Sequence, residues 1–173
     1  RFLMKKLDRK FELWSGSCEV HVLFNAKRLN ELIFNNPDAV VIAHPECEEA
    51  VLQYATVIGS TSRLLEEVEK NPAKKFIVAT ETGIFHQMQK LRPDVTLIQA
   101  PVADKSCACN NCPYMKLNNL EKIKNALITE KPEVTLENVL RGKAQVSLDR
   151  MMDITSGKSV SWPNSFVYNQ ANA

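Results

Sequence analysis

The chain has 173 residues, of which 45% are hydrophobic and 24% charged, the profile of an ordinary globular protein of one domain or a little more. Twenty-two Lys and Arg against 20 Asp and Glu leave a net charge of +2 with no basic block, which argues against nucleic acid as the main ligand. No apolar run approaches the roughly 20 residues of a membrane helix, and the opening RFLMKKLDRK is charged throughout, unlike a signal peptide.

In chain order, the opening residues carry a helical pattern, and FELW (11–14) reads as a short strand. Residues 25–35 form a helix with Leu29, Leu32 and Ile33 on one face. DAVVIA (38–43) is a buried strand stopped by His44-Pro45. A helix over 46–55 runs into a brief strand at 54–58 that ends at Gly59. STSRLLEEVEK (60–70) opens with hydroxyls suited to capping and continues with Leu64, Leu65 and Val68 at helical spacing. KFIVAT (75–80) is a strand, 83–91 a helix and VTLI (95–98) a strand. This alternation from Val20 to Ile98 predicts an α/β fold with a parallel sheet covered by helices.

Beyond the last strand the pattern becomes helical: 116–129, with Leu117, Leu120, Ile123 and Leu127 on its apolar face, then 135–141 and 147–154. From Ser156 the periodicity fades into a tail. Residues 1–19 look like the end of a preceding α/β domain, 20–104 like an α/β/α domain, 105–155 like a cysteine loop followed by helices, and 156–173 like the tail. The first residue is not Met, which fits a fragment or a processed chain.

Ligands of parallel α/β sheets bind beyond the carboxyl ends of the strands. The residues following each predicted strand are SGSCEVH (15–21), HPEC (44–47), GSTS (59–62), ETG (81–83) and, some residues after the last strand, the cysteine cluster. Polar and metal-capable side chains therefore recur at one end of the sheet. Each also has a plain structural role open to it. Cys18 and Cys47 are ordinary as buried small hydrophobes, and Glu46 as a first-turn acid facing a helix dipole. His44 with Glu46 could share proton transfer. Ser60 and Thr61, beside Gly59, could meet an anion at a helix N-terminus or simply cap it.

Five cysteines, at 18, 47, 107, 109 and 112, are an odd and unevenly spaced set, which fits reduced cytoplasmic thiols better than a secreted disulfide framework. Cys109 and Cys112 have the two-residue gap of zinc and redox motifs, but no second such pair completes a structural zinc site. Cys107, Cys109, Cys112 and a histidine could still hold zinc. Cys112-Pro113 has the look of the Cys-Pro that turns a chain away from an iron–sulfur cluster. A cluster held by one local cysteine and others from distant loops fits this better than a self-contained knot.

WSGSCEVH (14–21), HPEC (44–47), GSTS (59–62), TETG (80–83) and CNNCPYMKLNNL (109–120) occur in that order, and together they resemble the quinolinate synthase family over residues 1–155. The resemblance implies three similar α/β/α domains around a pseudo-threefold axis, with a central 4Fe–4S cluster held by one cysteine from each of three loops. It implies an enzyme of NAD biosynthesis that condenses iminoaspartate with dihydroxyacetone phosphate to quinolinate. An L-aspartate oxidase supplying the unstable imine is the implied partner. Carried onto this chain, Cys18 and Cys112 would be cluster ligands. His21, His44 and Glu46 would line the substrate site and carry its proton chemistry, and Ser60 and Thr61 would hold carboxylate or phosphate. Residues 105–155 would complete the family's N-terminal domain. The third cysteine belongs to an N-terminal portion not in this chain, so the isolated chain is expected to be inactive. Here Cys107 sits two positions before Cys109, where the family often has three, so a disulfide role for that pair does not carry over. The competing reading is a non-catalytic α/β module that binds zinc or a cluster.

Overall fold

The computed structural model describes residues 1–103 and 110–161; Cys107, Cys109 and the end of the tail lie outside them. The chain divides into two compact units, 1–119 and 120–173.

The first unit is built on a sheet of β1 (Val40–Ala43), β2 (Val57–Ile58), β3 (Lys75–Ala79) and β4 (Thr96–Gln99). All pairings are parallel and the order is β2-β1-β3-β4. The connections are α4 (Glu49–Leu52), α5 (Thr61–Lys70) and α6 (Ile84–Leu91), with α3 (Ala26–Phe34) ahead of β1. Strand side chains alternate between faces. Val41, Ala43, Ile77 and Ala79 pack on one side with Leu29 of α3 and Val51 of α4. Ile42, Phe76 and Val78 pack on the other with Leu64 and Val68 of α5 and Met88 of α6. The result is a three-layer α/β/α arrangement. β1 and β3 are buried on both faces, which is why their sequences read as unbroken apolar runs rather than alternating ones.

Caps set the helix starts. The Asn25 side chain accepts from the Arg28 amide at 2.9 Å, and Ser60 Oγ accepts from the Arg63 amide at 3.4 Å. Behind α6, Arg92 donates to the carbonyls of Val68 and Asn71 and forks onto Asp94, tying three connections together.

Four local expectations change. Residues 11–14 form no strand: all four side chains are exposed, and an extended segment without a partner has no ladder to stabilise it. They follow α1 (Phe2–Leu7) and precede α2 (Glu19–Val22) in irregular chain. The helix expected over 46–55 shrinks to α4, because Pro45–Cys47 form a turn that buries Cys47 and frees Glu46 to face back toward the strand ends. In the second unit the two short helices are one, α8 (Asn138–Thr155), running through Gly142. A single internal glycine costs a helix only about 1 kcal/mol relative to alanine, too little to break it.

The helix expected from residue 116 begins as a 3-10 turn (Met115–Leu117) and, after Asn118 and Asn119, continues as α7 (Leu120–Thr129). Neither α7 nor α8 has a buried side chain. No helix among the described residues is long and apolar enough to cross a membrane.

Candidate functional site

From the end of β1 the chain runs through α4 on one face of the sheet to β2. It then returns through α5 on the other face to β3 on the far side of β1. The gap between the carboxyl ends of β1 and β3 is therefore the topological switch point, where an open parallel sheet leaves a crevice. His44 follows β1 directly, its amide donating to the Ala79 carbonyl at 3.1 Å, and Thr80 follows β3.

A third segment reaches the same place from before the sheet. Phe24 bridges Val102, Asn25 N–H donates to the Pro101 carbonyl at 2.8 Å, and Arg28 Nη1 donates to the Val102 carbonyl at 2.7 Å. These bonds pin the chain after α2 to the chain leaving β4. Cys18 is the N-cap of α2, and His21 lies inside that helix.

His21 is 6% exposed. Its Nε2 lies 3.1 Å from Thr80 Oγ1, and its ring stacks on that of His44 with centroids 4.5 Å apart. Nδ1 makes an ion-pair contact of 3.3 Å with Glu46 Oε2, without hydrogen-bond geometry. His44 Nδ1 accepts from the Glu46 amide at 3.3 Å and is 3.6 Å from the same carboxylate oxygen. Burial pushes the His21 pKa below the ordinary value; the neighbouring His44 adds to this, and Glu46 opposes it. A neutral imidazole, a second imidazole and a carboxylate thus share one corner. Such a group can pass or accept a proton and orient a polar substrate.

Glu46 is the exposed member, with 57% of its side chain open to solvent. Its neighbour Cys47 has the opposite fate: its thiol donates to the Ala79 carbonyl at 3.3 Å, and burial pushes its pKa up to about 12. Cys47 is a core residue.

The cysteine segment is tied to the loop after β3. Glu81 Oε1 accepts from the Cys112 amide at 3.4 Å, while Oε2 accepts from the Gly83 amide at 2.6 Å. Thr82 donates through Oγ1 to Asn111 Oδ1 at 2.6 Å and through its amide to the Asn110 carbonyl at 3.2 Å. Gly83 permits this, because a Cβ there would fall 2.5 Å from the Glu81 carboxylate. One loop, Thr80–Gly83, thus touches His21 at one end and the cysteine segment at the other.

A family model described as "NadA: Quinolinate synthetase A protein" matches residues 1–153. The chain belongs to the quinolinate synthetase A family. Curated relatives named quinolinate synthase include those of Nostoc punctiforme, 46% identical over 155 residues, and Chloroherpeton thalassium, 44% identical over 154. These alignments cover 90% and 89% of this chain but 48% of each relative, so the chain spans about half the length of the curated relatives it matches.

Of the residues singled out in the sequence, His21, His44 and Glu46 come together, and Cys18 joins them. Its sulfur, a His21 ring nitrogen and a Glu46 oxygen all lie within 4.8 Å of one another. Cys112 is held at the other end of the Thr80–Gly83 loop. Ser60 and Thr61 sit at the start of α5, both exposed, with Ser60 already serving as its cap. Gly59 N–H donates to the Ala43 carbonyl at 3.1 Å, which keeps that helix start at the same end of the sheet.

Thr80, Gln99, Asn110 and Asn111 were given no part by the sequence. Gln99 donates to the Thr80 carbonyl at 3.1 Å and so steadies the residue that engages His21. The available signal was position alone: Thr80 follows β3 at the switch point and Gln99 ends the neighbouring β4, while the two asparagines read as spacers between cysteines.

Proposed function

We propose that this chain contributes to a quinolinate synthase, condensing iminoaspartate with dihydroxyacetone phosphate, with a 4Fe–4S cluster as its cofactor. The observation that carries the reading is the meeting of His21, His44 and Glu46 at the switch point in a chain of this family. The donor chemistry fits a thiolate-held cluster in part. Cys18 and Cys112 are free, partly buried thiols on separate loops, and a third thiolate would come from outside this chain. Residues 105–155 would complete the domain formed by the enzyme's N-terminal portion, and the chain by itself would be inactive. A cluster with an open iron position would supply a Lewis acid for a bound nitrogen, carboxylate or hydroxyl.

The protein's own residues would do the rest. Glu46, exposed and flanked by two imidazoles, would take the proton that each loss of water requires. His21, buried with Nε2 held by Thr80, would offer Nδ1 for one hydrogen bond to substrate. His44 would stack on His21 and present its Nε2 outward. Ser60 and Thr61, at the N-terminus of the ten-residue α5, would receive a carboxylate or phosphate from the substrate side.

The test uses the complete enzyme, purified without oxygen. Cys18→Ala and Cys112→Ala should each lose the brown chromophore. Glu46→Gln should keep it while quinolinate formation falls by about 10²–10⁴-fold. Colour retained in Cys18→Ala would sink the ligand assignment in favour of a module that binds its metal through the cysteine segment alone. Unchanged turnover in Glu46→Gln would remove Glu46 from the chemistry.

A further inference from the structure

We infer that Cys18, His21 and Glu46 form a binding site for a single divalent transition-metal ion, of the Zn²⁺ or Co²⁺ type, when no cluster occupies the Cys18 thiol. The site goes beyond the proposed reaction, and because both need Cys18, the two occupants exclude each other.

Three observations converge. Thiol sulfur, imidazole nitrogen and carboxylate oxygen lie within 4.8 Å of one another. Tetrahedral zinc, with bonds of about 2.0–2.3 Å, needs its ligand atoms roughly 3.3–3.8 Å apart. The gap closes with about 1 Å of movement, and Glu46, the exposed member, is free to make it. Second, His21 Nδ1 is buried, already 3.3 Å from the carboxylate oxygen, and has no hydrogen bond. A divalent ion between the thiol and the carboxylate would give this nitrogen a partner. Third, the other ring nitrogen is held: Nε2 meets Thr80 Oγ1 at 3.1 Å, and the Thr80 carbonyl is in turn held by Gln99. Metal-binding histidines are oriented through their second nitrogen in this way.

His44 stays out of the ligand set. Its Nδ1 already accepts from the Glu46 amide, and its ring lies flat against His21 rather than pointing at the shared centre. Three protein ligands of mixed S, N and O character leave a fourth position open, as in reactive rather than purely structural zinc sites. Zn²⁺ held there would occupy the thiol that cluster assembly needs.

The experiment titrates Co²⁺ into the full 173-residue chain, stripped of metal by a chelator under reducing, oxygen-free conditions. The expected result is one equivalent bound, with a thiolate-to-cobalt charge-transfer band in the near ultraviolet and tetrahedral ligand-field bands in the visible, all displaced by Zn²⁺. Cys18→Ser should lose the charge-transfer band with an unchanged far-ultraviolet circular dichroism spectrum. Thr80→Val should keep the band but weaken binding about 10–100-fold. A band that survives in Cys18→Ser and disappears when Cys107, Cys109 or Cys112 is replaced would overturn the assignment, placing the ion in the cysteine segment. So would a full-affinity band in Glu46→Ala, or no band in the unsubstituted chain. No substrate or cluster enters this measurement, so its failure leaves the quinolinate synthase reading standing, and failure of that reading leaves this one.

Discussion

On the histidine side of the strand-end crevice, His21 is 6% exposed, stacked on His44 and held by Thr80, itself 5% exposed. On the cysteine side, Cys112 is only partly buried, and its amide is held by the Glu81 carboxylate. The histidine side is a product of packing: its residues sit against the edge of a core that buries Ala43, Ala79 and Cys47. The cysteine side is a product of hydrogen bonds from a single loop. Packed groups exchange few conformations and hold their geometry, whereas a segment tethered by a few polar contacts opens locally at small cost.

Thiol reactivity should show the packing contrast most widely, between buried Cys47 and the partly buried Cys18 and Cys112. With its pKa pushed from 9.0 to about 12, Cys47 has about a thousandfold less thiolate at neutral pH than a thiol of ordinary acidity. Alkylation followed by mass spectrometry should label Cys112 and Cys18 long before Cys47, and denaturant should erase the difference. Equal rates in the native state would mean that the histidine side is not packed as described.

The next largest effect belongs to Thr80. Thr80→Val removes the hydroxyl facing His21 Nε2 while keeping the shape, leaving a buried nitrogen unpaired at a cost of about 1–3 kcal/mol. A lower midpoint in urea unfolding is the expected result, with no change in the labelling of Cys112. A neutral outcome would show that the histidine side owes little to this bond.

Glu81→Ala should do the reverse. The Cys112 amide and the Gly83 amide lose a common acceptor, so Cys112 should label a few-fold faster while global stability changes by less than about 1 kcal/mol. Gly83→Ala should mimic it by pushing the Glu81 carboxylate aside. If either variant unfolds the protein instead, the two sides are one cooperative unit and the contrast fails.

A remote ion pair sets the floor. The Arg92 fork and Lys74 hold the Asp94 carboxyl well below the usual carboxylate range. A carboxyl whose pKa is lowered by folding stabilises the protein above its unfolded value near 3.8, and that contribution fades as pH falls. Asp94→Asn should therefore lower Tm slightly at pH 7 and progressively less below pH 4, with labelling unchanged on both sides of the crevice.

Much of this was legible in the residues. The runs VVIA and KFIVA could only be strands buried on both faces, and Ser60 and Asn25 marked helix starts that their side chains do cap. The likeness to a known family foreshadowed the meeting of His21, His44 and Glu46; position after a strand foreshadowed it for His44 and Glu46 only, because the strand expected before His21 does not form. Less legible were elements whose fate depended on neighbours. Residues 11–14 have strand-like composition but no strand to pair with, and the two short helices expected over 135–141 and 147–154 join into one.

Local sequence by itself determined the order of strands and helices, because apolar period and caps act within a few residues. It also put polar and metal-capable side chains directly after β1 and β3. Tertiary structure alone decided that β1 and β3 lie side by side, which makes their ends the crevice, and that Cys47 belongs to the core while Cys18, four residues before Val22, turns toward Glu46. It alone brought Thr80 beneath His21 and Glu81 to Cys112. Those contacts join residues 59 and 31 positions apart, and no short-range preference encodes them. They follow from a parallel sheet that must bury both faces and so returns each strand end to the same edge.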